Sequence, residues 1–422
     1  MAAQPVRSPM AEWLTGGQDS YRRMNTFKDL FRNKPLLTFM AGHFTVDMYG
    51  GILPVLYPLM VAEFSLDNAS VGLIALAYTG AASLSQPFFG YLADRFGSRY
   101  FAVLSMCWSA LMVGLIGFSP SYGLLIFFAF MAGLGSGAYH PQGASNASAA
   151  AGDVKRNSAL AFYTVGGTSG YALGPIIGAV AFLILGRYGT IFLLPFGFVV
   201  AFLMLRQLKK LGLGVSQYHA TQRAVQAAVE WRPLLLVMAV VMLRSWVFSS
   251  MVAFIPLWFN EQGYSVGFYS VLTTAVLGLG AAGTLTGGIL ADRMGQRTIL
   301  IASLVGSAPF LLLFAAFPGP QSLIFGPAFA FLADMGISIT LVMAQRLLPG
   351  RVGMASGFIL GMGFVTGGLG VPVTGYLADR FGMGQALMMN TTLVIVAAAV
   401  VMLIPKRAII DPVVAPIATP AP

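Results

Sequence analysis

The sequence predicts an all-α integral membrane protein whose twelve transmembrane helices form two pseudo-symmetric six-helix bundles. Three observations predict it. First, 57% of the 422 residues are hydrophobic and only 9% are charged, whereas a soluble domain carries about 25% charged residues. Second, apolar runs of roughly 20 residues recur from Leu36 to Ile404, each long enough to cross a hydrocarbon core of about 30 Å as a helix. Third, Gly90–Arg99 (GYLADRFGSR) returns as Gly288–Arg297 (GILADRMGQR), 198 residues later. That spacing, near half the chain, is the mark of two similar halves. The runs are continuously apolar rather than alternating, which argues against a β-barrel.

The spans are expected at 36–61, 70–92, 100–119, 122–148, 159–184 and 189–205 in the first half. In the second they fall at 233–258, 268–291, 298–317, 321–345, 352–376 and 385–404. Pro54, Pro58, Pro175, Pro256 and Pro372 lie inside them, which would argue against soluble helices but is tolerated in a membrane bundle. Gly166, Gly167, Gly170 and Gly174 in the fifth span, and Gly361, Gly363, Gly367, Gly368 and Gly370 in the eleventh, offer faces on which helices approach closely.

The basic residues test the count. Of 24 Lys and Arg, 21 fall in the two tails, the 206–232 segment and the loops after spans 2, 4, 8 and 10; Arg187 and Arg380 alone fall on the other side, and Arg244 lies within a span. Cytoplasmic loops carry the excess of Lys and Arg, so both termini and residues 206–232 are expected in the cytoplasm, in a multi-pass protein of the cell's inner (plasma) membrane. One missed span would scramble this parity. The expected divisions are a tail at 1–35, a bundle at 36–205, a linker at 206–232, a bundle at 233–404 and a tail at 405–422. The net charge of +10 therefore follows membrane orientation, and no nucleic-acid partner is expected. A single cysteine, Cys107, excludes an internal disulfide and argues against a thiolate metal site. Residues 1–35 are mixed and polar, so no cleavable signal peptide is expected.

With its loop signature at Gly90–Arg99 and again at Gly288–Arg297, the chain resembles the major facilitator superfamily along nearly its whole length. A closer resemblance is to the fosmidomycin-resistance family of efflux proteins. It is carried by Gly42–Asp47 (GHFTVD) with Tyr57-Pro58-Leu59, by Gly135–Pro141 (GSGAYHP), by Val165-Gly166-Gly167 with Leu173-Gly174-Pro175, and by Ala344–Arg351 (AQRLLPGR). The resemblance implies the major facilitator fold and proton-driven export of small toxic molecules. The fifth span also resembles the drug–proton antiporter motif G-x-x-x-G-P-x-x-G-G as Gly170-x-x-x-Gly174-Pro175-x-x-Gly178-Ala179, with Ala in the final place.

Ionisable residues inside spans are expensive and are functional candidates by default. His43 and Asp47 are four apart and share a helix face; such a protonatable pair suits coupling to a proton gradient, or it ties its helix to a neighbour by hydrogen bonds. His140, followed by Pro141 and flanked by Tyr139 and Gln142, is a candidate for substrate or proton contact, or is satisfied by a carbonyl at the proline. Arg244 lies about ten residues into its span, where an arginine faces a cavity or pairs with an acid. It can take an anionic substrate bidentately, or neutralise Asp47 across the two halves. Asp334 is a further proton site or a structural partner. Asp94, Arg95 and Arg99, with Asp292, Arg293 and Arg297, are expected to gate the mouth by pairing with helix ends of the opposite half. Asp379-Arg380, in Gly375–Gly382 (GYLADRFG), is a third copy on the opposite face, either a gate there or a plain turn.

The expected function is a proton-coupled antiporter that exports small toxic or antibiotic-like compounds, anionic or amphipathic, by alternating access, acting as a monomer in the lipid bilayer. Two alternatives stand beside it: an importer, symporter or facilitator, of a small organic acid or sugar, and a membrane receptor or enzyme. Against the last, the sequence shows no metal-ligand cluster, Gly-x-Ser-x-Gly elbow or phosphate loop, and no cofactor or metal is expected.

Overall fold

The computed structural model describes residues 31–96, 100–151, 156–210, 230–348 and 352–405. Among them twelve α-helices follow one another: α1 Lys34–Phe64, α2 Asn68–Phe96, α3 Phe101–Ile116, α4 Tyr122–Ala151, α5 Arg156–Leu185, α6 Leu193–Lys210, α7 Trp231–Glu261, α8 Val266–Met294, α9 Gln296–Ala316, α10 Ser322–Leu347, α11 Val352–Phe381 and α12 Met383–Leu403. Number and order match expectation. A 3-10 turn, Gly186–Phe192, replaces the expected start of the sixth span. The expected tails and linker fall largely outside the described residues.

Several helices run past their expected ends, because the LADR motifs are not loops. Each copy forms the last turn of α2, α8 or α11. The following glycine stops the helix where it is described: Gly295 has φ 88° and Gly382 has φ 85°, a backbone that L side chains rarely adopt. At the helix starts, Asn33 accepts from the Leu36 N–H and Ser265 from the Phe268 N–H. Asp67 accepts from the Ser70 N–H at 2.8 Å. The Ser70 hydroxyl and this N–H hold the Asp67 carboxyl below the usual carboxylate range.

Glycines set the helix pairs. Gly166, Gly170 and Gly174 of α5 sit on the carbonyls of Met40, Phe44 and Met48 of α1, one turn apart along both helices. In the second half Gly363 and Gly367 of α11 sit on Ser245 and Ser249 of α7. Gly133 and Gly137 of α4 meet the carbonyls of Tyr78 and Ala82 of α2, and Gly283 and Gly287 of α8 meet those of Phe331 and Met335 of α10. The pairs α1/α5 and α2/α4 thus reappear, six helices later, as α7/α11 and α8/α10. Lipid is as apolar as leucine, so close backbone packing of this kind is what holds such helices together.

The two halves meet most closely along α2 and α11. These helices run antiparallel: Gly375 packs on Asn68, Gly72 on Pro372 and Gly368 on Thr79 and Leu76. All these contacts lie toward the end of the bundle that bears Arg187 and Arg380, here called the charge-poor end. Toward the other end the same faces come apart: Pro87 and Phe364 are exposed, and a side chain added at Gly361 would meet nothing. Leu285 on α8 and Val165 on α5 are also exposed there, at 73% and 58%. A cleft therefore opens toward the charge-rich end.

Gly170→Ala is expected to lower stability by about 1–3 kcal/mol, because its Cβ would fall on the Phe44 carbonyl. Gly123→Ala, where a Cβ meets nothing within 4 Å, should be neutral. Thermal unfolding of the two variants in one detergent checks this; equal midpoints would remove the helix-contact argument.

Candidate functional site

Three ionisable side chains of the first half converge. His43 and Asp47 lie one turn apart on α1, and His140 reaches them from α4. His43 Nε2 is 3.2 Å from Asp47 Oδ2, and His140 Nε2 is 3.4 Å from Asp47 Oδ1. The Ser136 hydroxyl, one turn before His140, is 3.3 Å from the same Nε2. His43 Nδ1 lies 2.9 Å from the Tyr163 carbonyl of α5, and its ring stacks on the Tyr163 ring at 4.1 Å.

This geometry counts protons. A carbonyl only accepts, so His43 Nδ1 carries the hydrogen. If the ring were neutral and Asp47 ionised, a lone pair at Nε2 would face a carboxylate oxygen. The 3.2 Å contact is a hydrogen bond only with a proton between the two, as imidazolium with carboxylate or imidazole with carboxylic acid. The cluster thus gathers three protonatable side chains from α1 and α4 against α5. Gly167 makes room for it: a Cβ there would strike Asp47 Oδ2 and the His43 ring.

The sequence offered no local metal-ligand spacing, yet one donor atom from each of His43, Asp47 and His140 lies within 4.8 Å of the others. A divalent metal could span that distance. The signal was hidden because the ligands sit on two helices far apart in sequence.

The second half holds a separate pair. Arg244 Nη1 of α7 donates to Asp334 Oδ1 of α10 at 2.5 Å, both side chains being about nine-tenths buried. Arg244 Nη2 reaches the Ser245 hydroxyl at 3.4 Å, while Nε is buried without a hydrogen-bond partner among the described residues. The pair corrects one expectation: Arg244 does not neutralise Asp47. Its position on α7 turns it toward α10 of its own half. Ser245, which follows Arg244 in the chain, lines a small pocket with Val241, Thr340 and Gly363, so the ion pair lies next to that pocket. Tyr171 of α5 lies within electrostatic reach of both Asp47 and Asp334 and links the two sites in space.

Other expected residues separate from these clusters. Tyr139 is wholly buried, and its hydroxyl donates to the Phe39 carbonyl, so it packs α4 on α1 and presents no surface to a ligand. Gln142 is buried on α4, outside the hydrogen bonds of the cluster. Arg99 and the side chains of Asp94, Arg95 and Asp292 lie outside the described residues. Arg293 is exposed. Arg297 donates to the Met402 carbonyl, a contact that joins α9 to α12 within one half. Sequence reasoning missed Ser136, Tyr163 and Gly167 as parts of the site; only the helix spacing of Ser136 before His140 could have pointed to one of them.

The sequence profile of the Major Facilitator Superfamily matches residues 39–286 and 237–417. The chain belongs to the Major Facilitator Superfamily. Among its relatives, the fosmidomycin resistance protein of Escherichia coli (strain K12) is 31% identical over 352 residues, covering 80% of this chain and 84% of that protein. The MFS-type transporter YfnC of Bacillus subtilis (strain 168) is 31% identical over 372 residues, covering 82% and 87%. A crystal structure of a bacterial homologue of the human lysosomal transporter Spinster superposes with a TM-score of 0.78 at 16% identity, over 90% of this chain and 97% of that one. The superfamily consists of membrane transporters acting on small molecules, so this chain is a transporter and not an enzyme.

The ion pair makes a double-variant prediction. Arg244→Met or Asp334→Leu alone strands a buried charge and should destabilise by about 3–5 kcal/mol, while the double variant should regain most of that loss. Thermal unfolding and detergent-extracted yield read it; a double variant as unstable as the sum of the singles would show that the two residues are not paired.

Proposed function

We propose that this transporter is a proton-coupled exporter of small, toxic, anionic compounds. It works by alternating access as a monomer in the inner membrane. Residues 36–205 and 233–404 are its two moving halves, joined by 206–232. Both termini and the charge-rich end face the cytoplasm, so the open cleft is the cytoplasmic entrance. The motifs around Asp94 and Asp292 gate that entrance.

The observation that carries this reading is the convergence of His43 and His140 on the Asp47 carboxylate, an arrangement able to hold one proton. When the proton leaves, Asp47 becomes an acceptor for an N–H or O–H donor on the substrate. Donor and proton then compete for one carboxylate, which is the condition for exchange rather than co-transport. An acidic group elsewhere on the substrate pairs with Arg244. Fixed charge in the second half thus sets the chemical class, and titratable charge in the first half sets the coupling. Export is the direction supported by the name of the Escherichia coli relative.

Energised everted vesicles, whose interior is acid, should accumulate a small phosphonate or carboxylate compound, and a protonophore should abolish the accumulation. Asp47→Asn should cut gradient-driven transport at least about tenfold and leave expression intact. Arg244→Ala should weaken anionic compounds more than neutral ones. Accumulation instead in right-side-out vesicles under an inward proton gradient would overturn export and establish import of an organic acid.

A further inference from the structure

The octapeptide GYLADRFG occurs twice without a change, as Gly90–Gly97 and Gly375–Gly382. The first copy ends α2 and the second ends α11. These are the two helices that run antiparallel across the boundary between the halves, so the copies stand at opposite ends of one helix pair.

At the charge-poor end the second copy has a partner. Asp379 Oδ1 accepts from the Asn68 N–H at 2.9 Å and from Asn68 Nδ2 at 2.8 Å. Asp379 Oδ2 accepts from the Ala69 N–H at 3.0 Å. Asp67 takes the next donor, that of Ser70. The N–H groups of Asn68, Ala69 and Ser70 at the start of α2 are therefore satisfied, two of them by a carboxylate from the other half. The contact is exposed, so water can replace it when the halves part. Gly375 and Gly72 allow the two backbones to close beneath it. Arg380 stacks on Tyr376 of its own helix, which leaves Asp379 to the helix end.

The register extends the comparison. Asn68 with Asp379, Gly72 with Pro372 and Thr79 with Gly368 step in opposite directions along the two helices. Carried on to the charge-rich end, the same register brings Asp94 level with the first residues of α11.

We propose that Asp379 is the latch of the charge-poor mouth, holding it shut in the state seen here and releasing the start of α2 when the carrier turns over. It is a positioning residue of the transport cycle, acting on the halves rather than on substrate. That this mouth faces outward rests on the orientation proposed above; the latch itself does not.

The test reads accessibility and needs neither substrate nor a proton gradient. In a Cys107→Ser background, Thr79→Cys places one thiol beneath the latch, opposite Gly368. Whole cells are labelled with a membrane-impermeant maleimide. Asp379→Ala should raise labelling about three- to tenfold, and Asp379→Glu should return it toward the starting level. Ala69→Pro removes one donor from the other side of the contact, at a first-turn position that tolerates proline. It should raise labelling too, and adding it to Asp379→Ala should add little. Well-folded variants, judged by a single symmetric elution peak, whose labelling stays at the starting level would overturn the latch. A rise seen only in everted vesicles would support the latch and overturn the orientation.

Discussion

A charge within the hydrocarbon core has to be paired or neutralised, and the arrangement of this transporter follows from where each charge finds its partner. Asp47 is met by two histidines on α1 and α4. Arg244 is met by Asp334 on α10. Each half therefore settles its own buried charge. A pairing of Arg244 with Asp47 would have tied the halves together at their centre, and separating them would have stranded two ions in a medium of low dielectric, at several kcal/mol each. With both clusters self-contained, the halves can tilt without breaking a buried ion pair.

The same division governs packing. Within a half, glycines bring backbones into contact over several turns, as where α5 lies on α1 at Gly166, Gly170 and Gly174. Such contacts have no intermediate setting, since a side chain cannot be inserted or withdrawn, and they make each half move as a unit. Between the halves, glycines close α2 on α11 only toward the charge-poor end, at Gly72, Gly368 and Gly375, and the polar contact lies at the rim. Asp379 and the start of α2 meet in exposed surroundings, where water substitutes at small cost. Stiff halves and a wet, reversible rim meet the mechanical requirements of alternating access.

Much of this was legible in the sequence, and the limit has a physical form. Spans, their number and the glycine faces are local properties: apolar length, and small residues one turn apart. His43 and Asp47 could be joined because four residues along a helix fix a shared face. His140 could not be joined to them, since its place depends on how α4 packs against α1. The acid that partners Arg244 stays open in the sequence for the same reason; either acid is in reach of an unplaced helix, and only its rotation toward α10 decides. Tyr139 adjoins His140 in sequence but points into the α1 contact, a difference of about 100° around the helix. Sequence thus named the groups that carry charge, and helix rotation decided which of them meet.

The LADR motif shows how one local disadvantage becomes informative. Its aspartate sits in the last turn of α2, α8 and α11, beside the negative end of its own helix dipole. A carboxylate is disfavoured there by about 0.3–1 kcal/mol. The same group is favoured by a similar amount at the positive end of another helix. In an antiparallel pair these two ends lie side by side, so a carboxylate that its own helix repels is accepted by its neighbour's N-terminus. Asp379 on Asn68 and Ala69 realises that arrangement. Because the acceptor belongs to the other half, the preference exists only while the mouth is closed. A residue placed against its local preference therefore adds almost nothing to either half alone and acts on the balance between states, which is the property a gate requires.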